Sequence, residues 1–210
     1  MVHNGFEGIK NVYAISDIQT VLEKYNLQVR GYFIFIGSLV RHKNVPQLIR
    51  VYKNYLDSNS IITKKLVIVG KEDNDFQNIL SLIEELDLQQ QVMVLNYVEE
   101  NEKNILLQNA FALTFFSLYE GFGFPLLEAQ TESIPVLLLD TSCLKEVAGQ
   151  GCIVINNSSS EDEISDAFIN AIKNLEQEKF RNQLIENGLQ NLERFKWKNC
   201  AADTLKFYNS

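Results

Sequence analysis

The chain has 210 residues, of which 46% are hydrophobic, and its formal net charge at pH 7 is −8. A chain of this length and composition can bury the core of a single domain, which argues against extended disorder. The acidic balance, without clustered Lys and Arg, argues against a nucleic-acid-binding surface, so we expect no nucleic-acid partner.

The cysteines and the apolar runs indicate the compartment. Cys143, Cys152 and Cys200 are an odd number without close spacing, so neither a disulfide framework nor a zinc site is expected. The chain does not start with a basic segment followed by an apolar stretch, and no apolar run approaches the roughly 20 residues that span a bilayer. These observations predict a soluble, cytoplasmic protein.

Short, nearly continuous apolar runs recur along the chain and predict strands. They are Tyr32–Ile36, Lys65–Val69, Gln91–Leu95, Ala112–Phe116, Pro135–Leu139 and Cys152–Ile155. Strands buried on both faces, as in a parallel sheet covered by helices, have this pattern.

The segments between these runs have apolar stripes at helical spacing. The predicted helices are Val45–Leu56, Phe76–Leu86, Glu102–Gln108 and Leu126–Glu132, then one opened by a capping box at Ser160–Glu163, then Lys179–Glu193 and Trp197–Tyr208. We therefore predict a doubly wound, Rossmann-like α/β domain with a parallel sheet of about six strands. One domain covers residues 1–210, with a linker and first helix in residues 1–30 and C-terminal helices in residues 178–210.

Two carboxylates seven residues apart flank a glycine-rich turn that leads into a helix. Pro125 suits the first helical turn, so we expect Glu120 in the loop, Glu128 in the first turn and both facing one cleft. The free backbone amides and the positive end of the helix dipole form a site for an anion such as a diphosphate; they lie around Gly121, Gly123 and Phe124.

Carboxylates beside an anion site can accept hydrogen bonds from sugar hydroxyls, so the segment indicates a sugar nucleotide as ligand. The alternative is that these acids are solvated or simply favour the start of a helix, and that the glycines only permit unusual backbone angles. The neighbouring segments favour the ligand site.

The segment from Gly37 to Asn44 follows the first strong strand and precedes a helix, which is where a ligand loop is expected. Gly37 allows close approach of the backbone, and Asn44 is a candidate N-cap. Arg41 and Lys43 can donate to phosphate oxygens, although either cation alone would more often be a solvated loop residue.

Tyr97 and Val98 follow another strand, where backbone groups and an aromatic ring can hold a nucleobase, although a tyrosine there more often lies at the edge of the core. GxGxxG follows none of the strands, and GxxxxGK[ST] is also absent, which argues against dinucleotide oxidoreductases and P-loop enzymes.

With these residues in place, the chain resembles the C-terminal, nucleotide-sugar-binding domain of GT-B glycosyltransferases, especially the retaining family 4. Glu120 to Glu128 match that family's E-x7-E motif, and Gly37 to Asn44 are similar to its donor loop. Weaker similarity extends from the linker-like start, Val2 to Phe6, to the aromatic signal at Phe195 to Trp197. Ser38 stands where many relatives have Arg, so one phosphate contact would be either missing or moved to Arg41.

The resemblance implies roles for individual residues. Glu120 and Lys43 would be catalytic, with Glu120 contacting the transferred sugar and Lys43 stabilising the leaving diphosphate. Glu128 would hold the ribose hydroxyls. The donor-binding residues would be Gly37, Ser38, Arg41, Lys43, Tyr97, Val98, Glu120, Gly121, Phe122, Gly123, Phe124, Leu127 and Glu128. No cofactor and no metal would be needed.

The resemblance also implies a partner. Transferases of this fold hold the acceptor on an N-terminal domain, for which these residues leave no room, so we expect that domain in cis or as a partner subunit. Any membrane contact would be made through it. Two alternatives to a transferase donor domain are a non-catalytic nucleotide-sugar-binding or regulatory module and a sugar-nucleotide epimerase of the same fold.

Overall fold

The computed structural model describes residues 3–8, 10–58, 63–157 and 160–208. Its strands are β1 (Tyr32–Ile36), β2 (Lys65–Val69), β3 (Val92–Leu95), β4 (Ala112–Phe115), β5 (Val136–Leu139) and β6 (Cys152–Ile155). All six predicted strands are confirmed, with bounds that differ by at most one residue at either end. Val2, part of the predicted linker, and the outer ends of the predicted single domain lie outside the described residues.

Helices alternate with the strands through β6. They are α1 (Ile15–Lys24), α2 (Val45–Asp57), α3 (Phe76–Glu85), α4 (Glu100–Gln108), α5 (Phe124–Thr131), α6 (Leu144–Ala148), α7 (Glu161–Leu175), α8 (Glu178–Leu192) and α9 (Trp197–Tyr208). Helix α6, with only five residues, was not predicted. The described helices include none long and apolar enough to cross a membrane.

The six strands form one parallel sheet in the order β3-β2-β1-β4-β5-β6. The first strand of the sheet is β1, and β2 and β3 are added outward on one side of it. The chain then returns to add β4 on the other side of β1. The strand order therefore reverses between β1 and β4. In open sheets of this kind, ligands bind outside the carboxyl ends of the strands at such a point.

Each face of the sheet is covered by helices, as expected of strands that are apolar on both sides. On one face, Phe33 and Phe35 of β1 pack in a core with residues of α2, α3 and α7. On the other, Tyr32 and Ile34 pack with residues of α1, α4, α5 and α6. This two-sided core fixes β1 in the middle of the sheet and leaves the loops at its carboxyl end at the surface.

The start of α7 confirms the predicted capping box. The Glu163 amide donates to Ser160 Oγ at 3.3 Å, and the Ser160 amide donates to Glu163 Oε2 at 2.9 Å. Two N–H groups at the helix start, which have no intrahelical partner, are thereby satisfied.

The predicted position of Glu128 in the first helical turn is wrong. Helix α5 begins at Phe124 instead of Leu126, because Gly123, with φ of +104°, takes the N-cap position. Pro125 is then the second helical residue, as its missing N–H allows, and Glu128 is the fifth and lies in the second turn.

Candidate functional site

The loops that follow β1 and β4 meet at the point where the strand order reverses. They are residues 37–44 and 116–123, and they contact each other directly because β1 and β4 are neighbours in the sheet. The Leu118 amide donates to the His42 carbonyl at 2.7 Å. The two segments that the sequence singled out therefore form one surface, although Lys43 and Glu120 are 77 residues apart in the chain.

The loop after β1 is held close to β2. The Gly37 amide donates to the Val69 carbonyl at 3.0 Å, and a Cβ on Gly70 would lie 1.9 Å from the Gly37 carbonyl oxygen. Gly70 is thus needed for this close approach of two strand ends. A short 3-10 turn, Arg41–Lys43, then turns the chain toward α2.

Asn44 occupies the N-cap position of α2, as predicted, but its side chain does not cap the helix. Its backbone is left-handed, with φ of 56°, and its Nδ2 group donates to Gln47 Oε1 instead of accepting from a backbone amide. A side-chain cap requires an extended N-cap backbone, which the tight turn after Lys43 excludes.

An ion pair joins the two loops across the reversal point. Lys43 Nζ donates to Glu120 Oε1 at 2.5 Å, and the two side chains are only 14% and 13% exposed. Lys43 Nζ also lies 5.5 Å from the centroid of the Phe115 ring. An ammonium group has three donors, so Lys43 keeps hydrogen-bonding capacity for a further anion.

The backbone of Glu120 is held by a third loop, which follows β5. Ser142 Oγ donates to the Glu120 carbonyl at 3.0 Å, and Cys143 Sγ donates to the same oxygen at 3.3 Å. Neither Ser142 nor Cys143 was predicted as a site residue from the sequence. Their place just beyond the carboxyl end of a predicted strand, next to β4, was the signal that could have identified them.

The start of α5, next to Glu120 in the chain, has no side-chain cap; Pro125 has no N–H, and the Leu126 amide donates to the Gly123 carbonyl at 3.0 Å. Gly123 provides no side chain to cap the helix, so the amide groups of the first turn have no side-chain acceptor. Gly121 is exposed, and a Cβ there would meet nothing within 4 Å, so open space adjoins this turn. Such a helix start favours an anionic ligand.

The other predicted residues of this segment differ in accessibility. Phe124 is exposed, and Phe122 is half-buried. The centroid of the Phe122 ring lies 5.0 Å from that of Phe124 and 5.5 Å from that of Phe195. Leu127 is fully buried in the core, because the helical period turns it toward the sheet. Its side chain is therefore not accessible from solvent, and the donor-binding role of Leu127 stays a prediction.

Glu128 forms an ion pair of its own, with α4. Lys103 Nζ lies 3.7 Å from Glu128 Oε2 and donates to Glu100 Oε1 at 2.8 Å. Burial raises the pKa of the Glu128 carboxyl, and the Lys103 charge opposes that rise. Lys103 was not predicted, since nothing in the sequence pairs a lysine on α4 with a glutamate on α5.

Glu128 also lines a cavity of about 180 Å³ between α4, α5 and the N-terminal segment, which contributes residues 6–8 and Asn11. The contacts of Glu120 and Glu128 do not overlap, since one binds Lys43 and the other Lys103. The expectation that both acids face one cleft stays a prediction.

The remaining predicted residues lie at the carboxyl ends of β1 and β3. Ser38 and Arg41 are exposed, and Gly37 and Val98 are half-buried. Tyr97 is 79% exposed, which excludes the alternative that its ring belongs to the core edge.

Within residues 3–8, 10–58, 63–157 and 160–208, no three His, Cys, Asp or Glu side chains cluster as metal ligands would. Metal independence stays a prediction.

The fold and this site define a class of protein. A six-stranded parallel sheet flanked by helices, with its loops gathered at the β1–β4 reversal, is a Rossmann-like fold, and it matches glycosyltransferase structures of the GT-B fold. The family model described as glycosyl transferases group 1 matches residues 17–191. The chain belongs to this glycosyltransferase family and corresponds to its C-terminal domain.

Two curated relatives and one solved structure illustrate the match. The O-antigen chain mannosyltransferase RfbU of Salmonella typhimurium is 33% identical over 147 residues, covering 70% of this chain and 39% of the relative. The O-antigen chain mannosyltransferase B of Escherichia coli is 27% identical over 188 residues, covering 90% and 48%. Anabaena HepE, solved with UDP and glucose, has a TM-score of 0.78 at 16% identity, covering 99% of this chain and 56% of that one.

Proposed function

We propose that this chain binds a nucleoside diphosphate sugar and acts as the donor domain of a retaining glycosyltransferase of family 4. The observation that carries the proposal is the Lys43–Glu120 ion pair, which lies across the β1–β4 reversal beside the uncapped start of α5. A cation, a carboxylate and a helix start without a side-chain cap, all at one position, match the diphosphate and the hydroxyls of a sugar nucleotide.

Lys43 and the first amides of α5 would bind the diphosphate. As the glycosidic bond breaks, negative charge develops on the departing diphosphate, and fixed positive charge beside it lowers the barrier. Lys43 is held in place by Glu120 and by the Phe115 ring, so this charge is already positioned before the donor binds. Arg41, exposed on the same loop, would assist.

Each of the two glutamates would then contact a different sugar of the donor. Glu120, on a loop fixed by Ser142, would contact the transferred hexose, and Glu128, on α5, would accept hydrogen bonds from the ribose. Tyr97 and Val98 would hold the base. The spacing of Glu120 and Glu128 supports the assignment to the retaining family.

The relatives suggest which sugar is transferred. Both curated relatives described above are mannosyltransferases of O-antigen chains, so we propose a mannosyl donor and a glycan acceptor. The chain spans less than half the length of these relatives, 39% and 48%. We propose that the acceptor is held by an N-terminal domain, in cis or as a partner chain.

The donor is tested by calorimetry with GDP-mannose, UDP-sugars and ADP-sugars, each with and without EDTA. We expect one nucleotide class to bind, GDP-mannose being the first candidate, and the affinity to be the same with EDTA because phosphate is bound by Lys43 and amides. Binding of none of these donors would contradict the proposal. Affinity lost with EDTA and restored by magnesium would contradict metal independence.

Transfer is tested by adding the N-terminal half of a curated relative, or of a longer form of this chain, to the 210 residues. We expect binding but negligible transfer by the 210 residues alone, because holding two reactants in register supplies on the order of 7–11 kcal/mol. Efficient transfer without the added half would show that the acceptor site lies within this chain. Binding with no transfer in any combination would favour a non-catalytic module.

A further inference from the structure

Lys103 lies on α4, outside every segment that resembles a donor-binding motif, yet it contacts the second glutamate of the site. Its Nζ group lies 3.7 Å from Glu128 Oε2 and 2.8 Å from Glu100 Oε1. The Lys103 side chain is only 18% exposed, so its ammonium is held between α4 and α5 instead of moving freely in solvent.

The surroundings of Glu128 are otherwise acidic. Glu7, Glu100 and Glu132 line the same cavity as Glu128. Gln108 Nε2 donates to Glu132 Oε2 at 2.6 Å, but the Gln108 side chain is neutral and does not offset the negative charge of these glutamates. Among the residues that the structure describes, Lys103 alone forms an ion pair with Glu128. Without that cation, a half-buried carboxylate would face like charges from α4 and from the N-terminal segment.

We propose that Lys103 is a positioning residue for donor binding, whose ammonium keeps the Glu128 carboxylate charged and oriented to accept hydrogen bonds from the ribose hydroxyls. The inference rests on the proposed function, since it assigns Lys103 a role through Glu128. It concerns this chain's own α4–α5 contact and requires no direct contact between Lys103 and the donor.

The pH dependence follows from the same groups. Burial and the Glu100 charge raise the pKa of Glu128, and Lys103 lowers it. Removing Lys103 therefore raises that pKa further, so the carboxylate is protonated at a higher pH. A protonated carboxyl group is a weaker acceptor. As the pH is lowered, the variant without Lys103 should therefore lose ribose binding at a higher pH than the parent does.

The experiment is calorimetry between pH 5 and pH 8 with a nucleoside diphosphate and its 2′,3′-dideoxy counterpart, GDP first and then UDP and ADP. The variants are Lys103→Gln, Lys103→Arg and Glu128→Ala. Lys24→Gln is the matched control, because Lys24 also pairs with a glutamate of α4, Glu102, at 2.6 Å, but does not contact Glu128.

We expect Lys103→Gln to weaken binding of the ribonucleotide about fivefold at pH 7, as for the loss of a partly exposed ion pair. As the pH is lowered, the affinity of this variant for the ribonucleotide should begin to fall at a higher pH than that of the parent. Its affinity for the dideoxy nucleotide should be unchanged. Lys103→Arg should restore parent behaviour, and Lys24→Gln should retain it. A circular dichroism melt checks that each variant is folded.

Three outcomes would overturn the inference, and they are distinguishable. If the parent binds no nucleoside diphosphate, the proposed function itself fails. If Glu128→Ala weakens only the ribonucleotide while Lys103→Gln binds as the parent does at every pH, the function stands and the role of Lys103 is wrong. If Lys103→Gln weakens both nucleotides equally, Lys103 does not act through the ribose contact.

Discussion

Glu120 and Glu128 belong to one short sequence motif but lie in different environments. Glu120 is on a loop, 13% exposed, with a short contact to Lys43 at 2.5 Å. Glu128 is in the second turn of α5, 34% exposed, and its partner Lys103 is 3.7 Å away. The first carboxylate is tied to a cation of the candidate diphosphate site, whereas the second faces a small acidic cavity.

The difference shows how each glutamate is fixed. Glu120 depends on three loops that come from separate strands, because Lys43 follows β1 and Ser142 follows β5. Glu128 depends on the helical geometry of α5 and on a contact with α4. We therefore expect changes around Glu120 to affect the diphosphate and the transferred sugar, and changes around Glu128 to affect the nucleoside.

The largest expected effect is that of Lys43→Ala on the Glu120 side. We predict that it weakens binding of a nucleoside diphosphate by roughly 1.5–3 kcal/mol, the range for a hydrogen bond to a charged group. Isothermal titration calorimetry measures this loss. The expected cause is the missing ammonium at the diphosphate, since the fold on the two sides of Lys43 is set by the buried strand β1 and by helix α2.

Lys71→Ala is the matched control for Lys43→Ala. Lys71 follows β2 at the same edge of the sheet and is exposed, so its removal changes the net charge equally without removing the loop contact. We expect a small, salt-dependent change for Lys71→Ala. Equal losses for the two variants would remove Lys43 from the site.

The next effect separates the two glutamates. Glu120→Gln should weaken binding of the nucleotide sugar about tenfold and binding of the free nucleoside diphosphate less, because Gln lacks the charge that strengthens contacts to sugar hydroxyls. Glu128→Ala should weaken both ligands equally, by about tenfold, through the ribose. Paired titrations with nucleotide and nucleotide sugar measure the split.

Two results would break this comparison. If both variants bind nucleotides and nucleotide sugars as the parent does, neither glutamate contacts the donor. If Glu120→Gln and Glu128→Ala lose the same ligands in the same proportion, the two carboxylates act on one part of the donor and their different environments have no functional counterpart.

The smallest effect is that of Ser142→Ala. It removes the hydroxyl that donates to the Glu120 carbonyl at 3.0 Å, and we predict a loss of about 0.5–1.5 kcal/mol in the contribution of the sugar to binding. The same titrations measure it, and Ser81→Ala, on the exposed surface of α3, is the control. A Ser142→Ala variant with full sugar discrimination would show that the Ser142 hydroxyl is not needed to position Glu120.

The sequence predicted the sheet well because its strands are buried on both faces. An apolar run such as Tyr32–Ile36 identifies such a strand without reference to its neighbours. The predicted start of α5 was wrong by two residues, because Gly123 has a left-handed backbone and the helix begins at Phe124. Glu128 therefore lies in the second turn. Helix α6 was missed because five residues contain too little of the helical period to be recognised.

The sequence by itself determined the alternation of strands and helices, the loops beyond strand ends, and the residue types that can hold an anion and sugar hydroxyls. These properties depend on local periodicity, on glycine and proline, and on side-chain chemistry. Only the tertiary structure decided which cation pairs with which glutamate. Lys43 and Glu120 meet because β1 and β4 are adjacent, and Lys103 and Glu128 meet because α4 packs near α5, and neither neighbour relation is encoded in local sequence.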